Sequence, residues 1–304
     1  MEKTWNILDI LNWTTSFLEK KNIEEAKYKA ELLLSHVLEL KRFELYLNFD
    51  RPLSKKERED FKLLLNRLTE NEPIQYILGK WEFYGYNFIV NKDVLIPRRE
   101  TEELVEKVIN YIMENVGGAL CSSPSSPLYI LDIGTGSGAI IISLYLELKK
   151  KLKENSKNIK FIAIDISEKA LNTAKENAKL NNIKKDEIKF IKSDLLYELE
   201  KNIGQIDYAH TIMISNPPYV SVSEYNKLKK ELFFEPKDAI TDNDNGLYFY
   251  IKLIKEIKER KIKKSFFEIG YNQKKALTKI CKENGIDNFK FYKDLSDNWR
   301  MLEI

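Results

Sequence analysis

The sequence predicts an α/β fold with a mostly parallel, Rossmann-like sheet of seven strands, preceded by an N-terminal helical bundle and a linking β-hairpin. Strand-like and helix-like segments alternate from residue 128 onward, which is typical of βαβ units around a parallel sheet. A glycine-rich turn follows the first of these strands. Residues 1 to about 75 show only helical periodicity, so a separate bundle is expected there.

Composition excludes several classes of protein. The 304 residues are 43% hydrophobic and 32% charged, as in ordinary globular proteins. We find neither the run of ~18 apolar residues that spans a bilayer nor a signal-peptide pattern, and therefore expect a cytoplasmic protein with no membrane partner. Two cysteines and two histidines are too few for a metal cluster, so no metal is expected. A net charge of +3 is too mild to indicate a nucleic-acid substrate.

The first domain is predicted over residues 1–76 as a bundle of helices. Apolar residues recur at helical spacing through its first half. Ser54 and Glu57 have the spacing of a capping box, in which each side chain accepts from the other residue's backbone N–H. Pro73 lacks an N–H and restricts the residue before it, so we expect it to end the helical region.

A β-hairpin is predicted within the linker of residues 77–95. Between positions 79 and 90, aromatic and β-branched residues nearly alternate around Gly85, which is typical of two short antiparallel strands. The third region, residues 96–304, is the predicted α/β domain, and it begins with a helix over 101–115.

The rest of the α/β domain is a succession of predicted strands and helices after a Gly/Ser/Pro-rich loop at 117–127. The strands are predicted at 128–133, 160–165, 188–191, 211–215, 265–269, 288–292 and 299–303. The helices are predicted at 138–149, 168–180, 246–260 and 273–284. Ligands of such sheets bind at the C-terminal ends of the strands, so the turns there are the candidate sites.

The turn after the first strand of the sheet is a candidate cofactor site. Its residues are Gly134, Thr135, Gly136, Ser137 and Gly138. Glycines allow a tight turn and the close approach of a ligand, and the helix that follows offers free N–H groups. With Ala139 the turn also satisfies the relaxed dinucleotide fingerprint, so by itself it does not separate NAD from other nucleotides.

Acidic residues after the next two strands fit the same site. Asp165 ends the second strand, where a carboxylate can accept both hydroxyls of a ribose, whether of NAD or of S-adenosylmethionine (SAM). Asp194 follows the third strand and could accept an adenine amino hydrogen by the same logic. Either residue could instead be a plain charge at a helix start or in a loop.

The segment after the fourth strand is the most specific motif. Its residues are Asn216, Pro217, Pro218 and Tyr219. Two successive prolines fix φ and remove two N–H donors, so the loop presents carbonyl oxygens. Asn216 adds a side-chain carbonyl and Tyr219 adds an aromatic wall. Such a site suits the –NH2 of a planar group, with both hydrogens accepted.

Together these motifs resemble the HemK/PrmC family of SAM-dependent methyltransferases. Segments 71–79, 81–83, 95–102 and 234–236 add to the resemblance, which runs almost the whole length of the chain. It implies methylation of the side-chain amide nitrogen, N5, of the glutamine in the Gly-Gly-Gln motif of peptide chain release factors, with S-adenosylhomocysteine as product. Release factors would be the partners, the N-terminal domain would recognise them, and we expect a monomer.

The resemblance also implies the roles of individual residues. Asn216 and Pro217 would be catalytic, because their carbonyl oxygens would orient the glutamine nitrogen and no strong base is evident. Pro218 and Tyr219 would complete the substrate site. The cofactor would be bound by Gly134, Thr135, Gly136, Ser137, Gly138, Asp165, Asp194, Leu195 and Asn216.

Several alternatives stay open. An enzyme acting on a ribosomal-protein glutamine would share nearly every motif. A DNA or RNA amino-group methyltransferase would be expected to have a basic face, which the charge balance does not indicate. A NAD-dependent dehydrogenase would leave the prolyl loop unexplained, and turnover of SAM would exclude a non-catalytic protein that binds translation factors.

Overall fold

The structure is a computed structural model that describes residues 5–115 and 127–304. All but the last residue of the predicted loop at 117–127 therefore lies outside the described residues. The chain divides into two compact units. The helical unit comprises the residues before Lys80 together with Lys230–Phe234, and the α/β unit comprises Lys80–Lys229 and Glu235–Ile304.

The helical unit is built from five α-helices over residues 5–79, as the sequence predicted for this region. They are α1 (Ile7–Lys20), α2 (Ala26–Leu38), α3 (Arg42–Leu47), α4 (Lys55–Thr69) and α5 (Ile74–Leu78). The predicted capping box is confirmed, since the Glu57 N–H donates to Ser54 Oγ at 3.2 Å and the Ser54 N–H donates to the Glu57 carboxylate at 2.7 Å. The prediction that Pro73 ends the helical region is wrong, because Pro73 precedes α5 at a position where a missing N–H costs no hydrogen bond.

A short segment from much later in the chain belongs to the helical unit. Lys230–Phe234 forms a 3-10 helix, and the Lys29 ammonium on α2 lies 3.1 Å from the Glu231 carboxylate. Lys29 is 7% exposed, so this ion pair satisfies a charge that is otherwise buried. No local pattern in the sequence indicates this contact, which joins residues 202 positions apart.

The α/β unit begins with the predicted hairpin. Strands β1 (Lys80–Phe83) and β2 (Tyr86–Ile89) pair antiparallel. The buried rings of Phe83 and Phe88 contact each other edge to face, with 6.0 Å between their centroids, and belong to the core of this unit.

The seven-stranded sheet is confirmed. Its strands are β3 (Leu128–Ile133), β4 (Ile159–Asp165), β5 (Ile188–Lys192), β6 (Thr211–Ser215), β7 (Lys264–Glu268), β8 (Lys290–Lys293) and β9 (Trp299–Glu303). They lie in the order β5-β4-β3-β6-β7-β9-β8. Strands β3 to β7 run parallel, and β9 is antiparallel to both its neighbours.

Helices pack on the sheet in two groups. The described helices of this unit are α6 (Arg99–Asn115), α7 (Ala139–Leu152), α8 (Glu168–Leu180), α9 (Leu199–Ile203), α10 (Val222–Tyr225), α11 (Tyr248–Arg260) and α12 (Lys274–Glu283). One apolar cluster includes α6 and α7, and the other includes α11 and α12. Within residues 5–115 and 127–304, no helix has the length and apolarity needed to cross a membrane.

The strand order fixes where a ligand should bind. The chain builds β3, β4 and β5 outward in one direction and then returns to place β6 on the other side of β3. This reversal creates a crevice at the C-terminal ends of β3 and β6, the usual ligand position in such sheets.

Candidate active site

The glycine-rich turn leaves the sheet at the end of β3. Gly134 and Gly136 have φ values of 71° and 55°, in the left-handed region that favours glycine. The N–H groups of Gly134 and Thr135 donate to the Ile164 carbonyl on β4, at 2.8 and 2.9 Å. Gly134 is exposed and Gly136 is half-buried, so the turn is both anchored and accessible to a ligand.

The carboxylate of Asp165, which was predicted to bind a ribose, lies against this turn. One oxygen accepts from the Gly136 N–H at 2.8 Å, and the other accepts from the Ser167 N–H at 2.9 Å. Burial raises the pKa of Asp165, and these backbone donors oppose the rise. Each carboxylate oxygen has a further lone pair and can still accept from a ligand hydroxyl.

Asp132, at the start of the turn, is a second carboxylate that the sequence analysis did not assign to the site. Its side chain is fully buried, and its Oδ2 accepts from Thr135 Oγ1 at 2.6 Å. Its Oδ1 has no hydrogen-bond partner in the described part of the chain. Burial raises the pKa of Asp132 to about 7. The signal in the sequence that could have identified Asp132 is an acidic residue within an otherwise apolar strand, directly before the glycine-rich turn.

Asp194 and Leu195 follow β5, one strand further from the crevice. Asp194 is exposed, and Leu195 has a left-handed φ of 50° and packs partly against the core. β5 pairs parallel with β4, so Asp194 and Asp165 both lie where the C-terminal ends of the parallel strands meet.

A buried asparagine ties the hairpin to the glycine-rich turn. The Asn177 side chain on α8 accepts from the Ile89 N–H at 2.6 Å and donates to the Ile89 carbonyl at 3.0 Å. Its amide also donates to the Ser137 carbonyl at 2.9 Å. Asn177 was not predicted from the sequence, because a polar residue in an amphipathic helix is expected on the exposed face, whereas Asn177 is fully buried.

The segment Asn216–Tyr219, here called the substrate loop, leaves the sheet at the end of β6. Ile133 and Ser215 are register partners on β3 and β6, so the glycine-rich turn and the substrate loop start side by side. Ser215 Oγ donates to the Ile133 carbonyl at 2.7 Å, which fixes the two strand ends together. Pro217 is buried, whereas Asn216, Pro218 and Tyr219 are half-buried.

The substrate loop is supported from behind by Gln273. Its Nε2 donates to the Tyr219 carbonyl at 3.1 Å and to the Gly246 carbonyl at 2.8 Å. Gly246 has a φ of 82°, and a Cβ built there would overlap the Tyr219 carbonyl oxygen. Neither residue was predicted from the sequence, since both are distant from the loop along the chain.

A buried carboxylate, Glu268, lies beneath the loop at the end of β7. It accepts from Thr101 Oγ1 at 2.6 Å and from the Tyr219 hydroxyl at 3.2 Å. Asn216 Nδ2 donates in turn to Thr101 Oγ1 at 3.2 Å. Burial raises the pKa of Glu268. Thr101 lies in the segment 95–102, but sequence analysis gave no role to it or to Glu268.

The segments 95–102 and 234–236 meet in the structure. The Glu235 carboxylate is 3% exposed and accepts from the Ile96 N–H at 2.9 Å and from the Arg98 guanidinium at 2.5 Å. A buried acid with a charged partner and a backbone donor is well satisfied, and it fixes the chain just before α6.

The site therefore joins two kinds of surface. The turn after β3 offers an accessible backbone and two carboxylates, which suits a nucleoside with ribose hydroxyls and a positive charge. The substrate loop offers carbonyl acceptors next to it, which suits an amide or amino –NH2. Within the described residues, no group of three His, Cys, Asp or Glu side chains is arranged to hold a metal ion.

Comparison with known proteins gives consistent matches over both units. Residues 9–79 match the PrmC N-terminal domain and residues 124–285 match a methyltransferase domain. The chain is 36% identical over 299 residues to the release factor glutamine methyltransferase of Fusobacterium nucleatum subsp. nucleatum, covering 97% of this chain and 77% of that protein. It is 38% identical over 242 residues to the protein of the same name from Chlorobaculum tepidum, covering 79% and 76% of the two chains.

A solved structure agrees at the level of fold. The hMettl16 catalytic domain is 16% identical, with a TM-score of 0.52 over 84% of this chain and 83% of that one. At this identity the likeness shows the methyltransferase fold alone. The sequence matches extend through the helical unit as well as the sheet, and by them the chain belongs to the release factor glutamine methyltransferase family.

Proposed function

We propose that this chain transfers the methyl group of SAM to the side-chain amide nitrogen, N5, of the glutamine in the Gly-Gly-Gln motif of peptide chain release factors. The observation that most supports it is the substrate loop, whose carbonyl acceptors start beside the glycine-rich turn. The names of its relatives support the choice of release factors as substrates.

The residues of the turn fit SAM as the cofactor. Asp165 retains acceptor capacity for ribose hydroxyls, and the buried Oδ1 of Asp132 is an acceptor without a protein donor. When bound, SAM supplies a methyl group on a sulfonium, which is already activated for transfer. We expect Gly134, Thr135, Gly136, Ser137 and Gly138 to contact it, with Asp194 and Leu195 on the side of the adenine.

The chain's contribution to the reaction is positioning. A glutamine nitrogen is a poor nucleophile because its lone pair is delocalised into the carbonyl. The Asn216 side-chain carbonyl and the Pro217 backbone carbonyl would accept its two hydrogens, orient it, and stabilise the positive charge that develops on it. Well-oriented reactants gain up to roughly 7–11 kcal/mol in the best cases. His210 cannot act as a base here, because it precedes β6 at the opposite end of the strand and contacts Asp207 at 2.8 Å.

Other substrates are less well supported. A ribosomal-protein glutamine would present the same chemical group, but the similar proteins cited above are named for release factors. A nucleic-acid amino group would also fit the loop, and the mild charge of +3 argues against it. We further propose that the enzyme works in the cytoplasm, because its proposed substrate is a protein of translation, and that it works as a monomer.

Incubation of the protein with labelled SAM and a purified release factor tests this function. We expect label on the Gly-Gly-Gln glutamine, mapped by peptide mass analysis, and none on a release factor whose glutamine is replaced by alanine. Purified ribosomal proteins and total RNA serve as competing substrates in the same assay. Label on either of these, with none on the release factor, would refute the proposed substrate.

A further inference from the structure

Glu268 is a buried ionisable residue that the mechanism above does not use. Its side chain is 1% exposed, and it contacts the substrate loop through Thr101 and Tyr219. We propose that Thr101 and Glu268 are positioning residues that hold the Asn216 amide with Oδ1, rather than Nδ2, towards the substrate nitrogen. This inference rests on the proposed methyl transfer and identifies what sets the orientation of its acceptor.

The orientation of the Asn216 amide needs a physical cause. The oxygen and the nitrogen of an amide have nearly the same shape, so packing does not choose between them and hydrogen bonding must. With Nδ2 outward, the side chain would present hydrogen-bond donors to the –NH2 of the substrate, which is itself a donor. Only the orientation with Oδ1 outward provides the acceptor that the reaction needs.

The carboxylate determines that orientation through Thr101. In its ionised form the Glu268 carboxylate only accepts hydrogen bonds, so the Thr101 hydroxyl then donates its single hydrogen to Glu268, at 2.6 Å. Thr101 Oγ1 can then only accept, and it accepts from Asn216 Nδ2 at 3.2 Å. The direction of both hydrogen bonds therefore follows from the charge on Glu268.

The surroundings of Glu268 favour this role over a role in packing. Burying a carboxylate costs free energy, and its hydrogen-bond donors here are the hydroxyls of Thr101 and Tyr219 rather than a cation. Burial raises the pKa of Glu268, while the Thr101 hydroxyl and the charge of Arg300 oppose the rise. An apolar side chain would fill the space without this cost, but it would leave Thr101 free to donate to Asn216.

The hydrogen bonds from Thr101 to Glu268 and from Asn216 to Thr101 form a relay, and substitutions of Thr101 test this relay by kinetics. In Thr101→Val the hydroxyl is lost at nearly constant volume, and we expect kcat on a release factor to fall at least tenfold while the KM for SAM changes less than about twofold. Thr101→Ser keeps the hydroxyl and should retain most of the activity. Thr211→Val is the matched control, because Thr211 is also fully buried and donates to the Asp207 carbonyl at 2.8 Å, at the far end of β6.

A nitrogen NMR measurement tests the same relay without any substrate. The side-chain NH2 signal of Asn216 is assigned by its absence in Asn216→Asp. In the wild type and in Thr101→Ser, its hydrogen bond should slow proton exchange, and Thr101→Val should remove this protection. Glu268→Gln should weaken the protection, since its amide can donate to Thr101 as well as accept.

The outcomes separate the relay from the proposed function. Wild-type kcat and unchanged NH2 protection in Thr101→Val would overturn the relay, and so would a Thr101→Ser variant as impaired as Thr101→Val, which would indicate packing. A wild-type protein that methylates no release factor would overturn the proposed function, and the NMR result would still decide whether Thr101 orients Asn216.

Discussion

Asp132 and Asp165 lie near the C-terminal ends of the neighbouring strands β3 and β4, and burial raises the pKa of both. They differ in how their oxygens are satisfied, since backbone N–H groups bind both oxygens of Asp165 whereas one oxygen of Asp132 lacks a partner. A buried oxygen without a hydrogen-bond donor lowers the stability of the free protein, and a ligand that donates a hydrogen bond to this oxygen would recover that stability.

Asp132 should make the folded protein less stable as pH rises from about 4 to about 7. Its pKa of 3.8 in the unfolded chain becomes about 7 when buried, so in this window the folded state keeps a proton that the unfolded state has released. Asp132→Asn stays neutral and should lose less stability over the same window. Thermal unfolding midpoints of both proteins across this range would test it, and parallel curves would count against it.

Asn216→Ala should abolish methyl transfer while SAM still binds within a few-fold. The variant removes a carbonyl acceptor and leaves a substrate N–H unpaired, at a cost of about 1–3 kcal/mol in binding and more in alignment. Single-turnover methylation measures the first effect and calorimetric titration with SAM measures the second. Near-normal turnover would exclude positioning by Asn216 as the mechanism.

At the scale of elements, alternation of strands and helices was enough to predict the sheet. The predicted strands at 128–133, 211–215 and 299–303 coincide with β3, β6 and β9, and the predicted helix at 168–180 coincides with α8. The limits of the other predicted elements agree or differ by one to three residues. The short helices α9 and α10 were missed, since helices of five and four residues have no periodicity to detect.

The sequence predicted only those residues of the candidate site that lie at or directly after the end of a strand. The glycine-rich turn, Asp165 and the substrate loop each lie at the C-terminal end of a parallel strand, where ligands of such sheets bind, so the topology rule brings them together. The contact of Thr101 with Glu268 joins positions 167 residues apart, and no local pattern encodes a contact of that range.

Gly246 supports the substrate loop, and Gly246→Ala should displace it. A Cβ there would overlap the Tyr219 carbonyl oxygen, in addition to the strain of a left-handed φ of 82°. Gly204→Ala is the control for backbone strain without a clash, because no atom lies within 4 Å of the new Cβ, while the φ of 77° and ψ of −163° are a conformation essentially limited to glycine, at a cost on the order of 1–3 kcal/mol. We expect a large loss of kcat in Gly246→Ala and near-normal kcat in Gly204→Ala, measured at a temperature where both are folded. Equal activities would mean that loop position is unimportant.

For the whole molecule, we propose that the helical unit recognises the release factor. A single glutamine offers little surface, whereas specific interfaces bury about 1,600 Å². On α3, Phe43 and Leu47 are 60% and 73% exposed, and their spacing places them on one helix face. Large apolar side chains grouped in solvent are typical of interaction surfaces.

A double substitution, Phe43→Ser with Leu47→Ser, should raise the KM for intact release factor at least tenfold, equivalent to about 1.4 kcal/mol. Activity on a short Gly-Gly-Gln peptide should change little, because the peptide lacks the second contact region. Leu295→Ser is the control, since Leu295 is 96% exposed and lies in the α/β unit. Equal losses on peptide and intact protein would indicate a folding defect instead.

The docking of Lys230–Phe234 on α2 has a consequence for the order of events during synthesis. The five helices before Lys80 leave the ribosome first, but the partner of buried Lys29 is made 202 residues later. Until Glu231 emerges, Lys29 lacks this carboxylate partner and the amino-terminal unit lacks the segment Lys230–Phe234, so the unit reaches its final stability only when most of the chain exists. Stalled nascent chains ending near residue 150 should therefore be cleaved by protease within α2 faster than chains ending near residue 280, and equal rates would show that the early helices mature on their own.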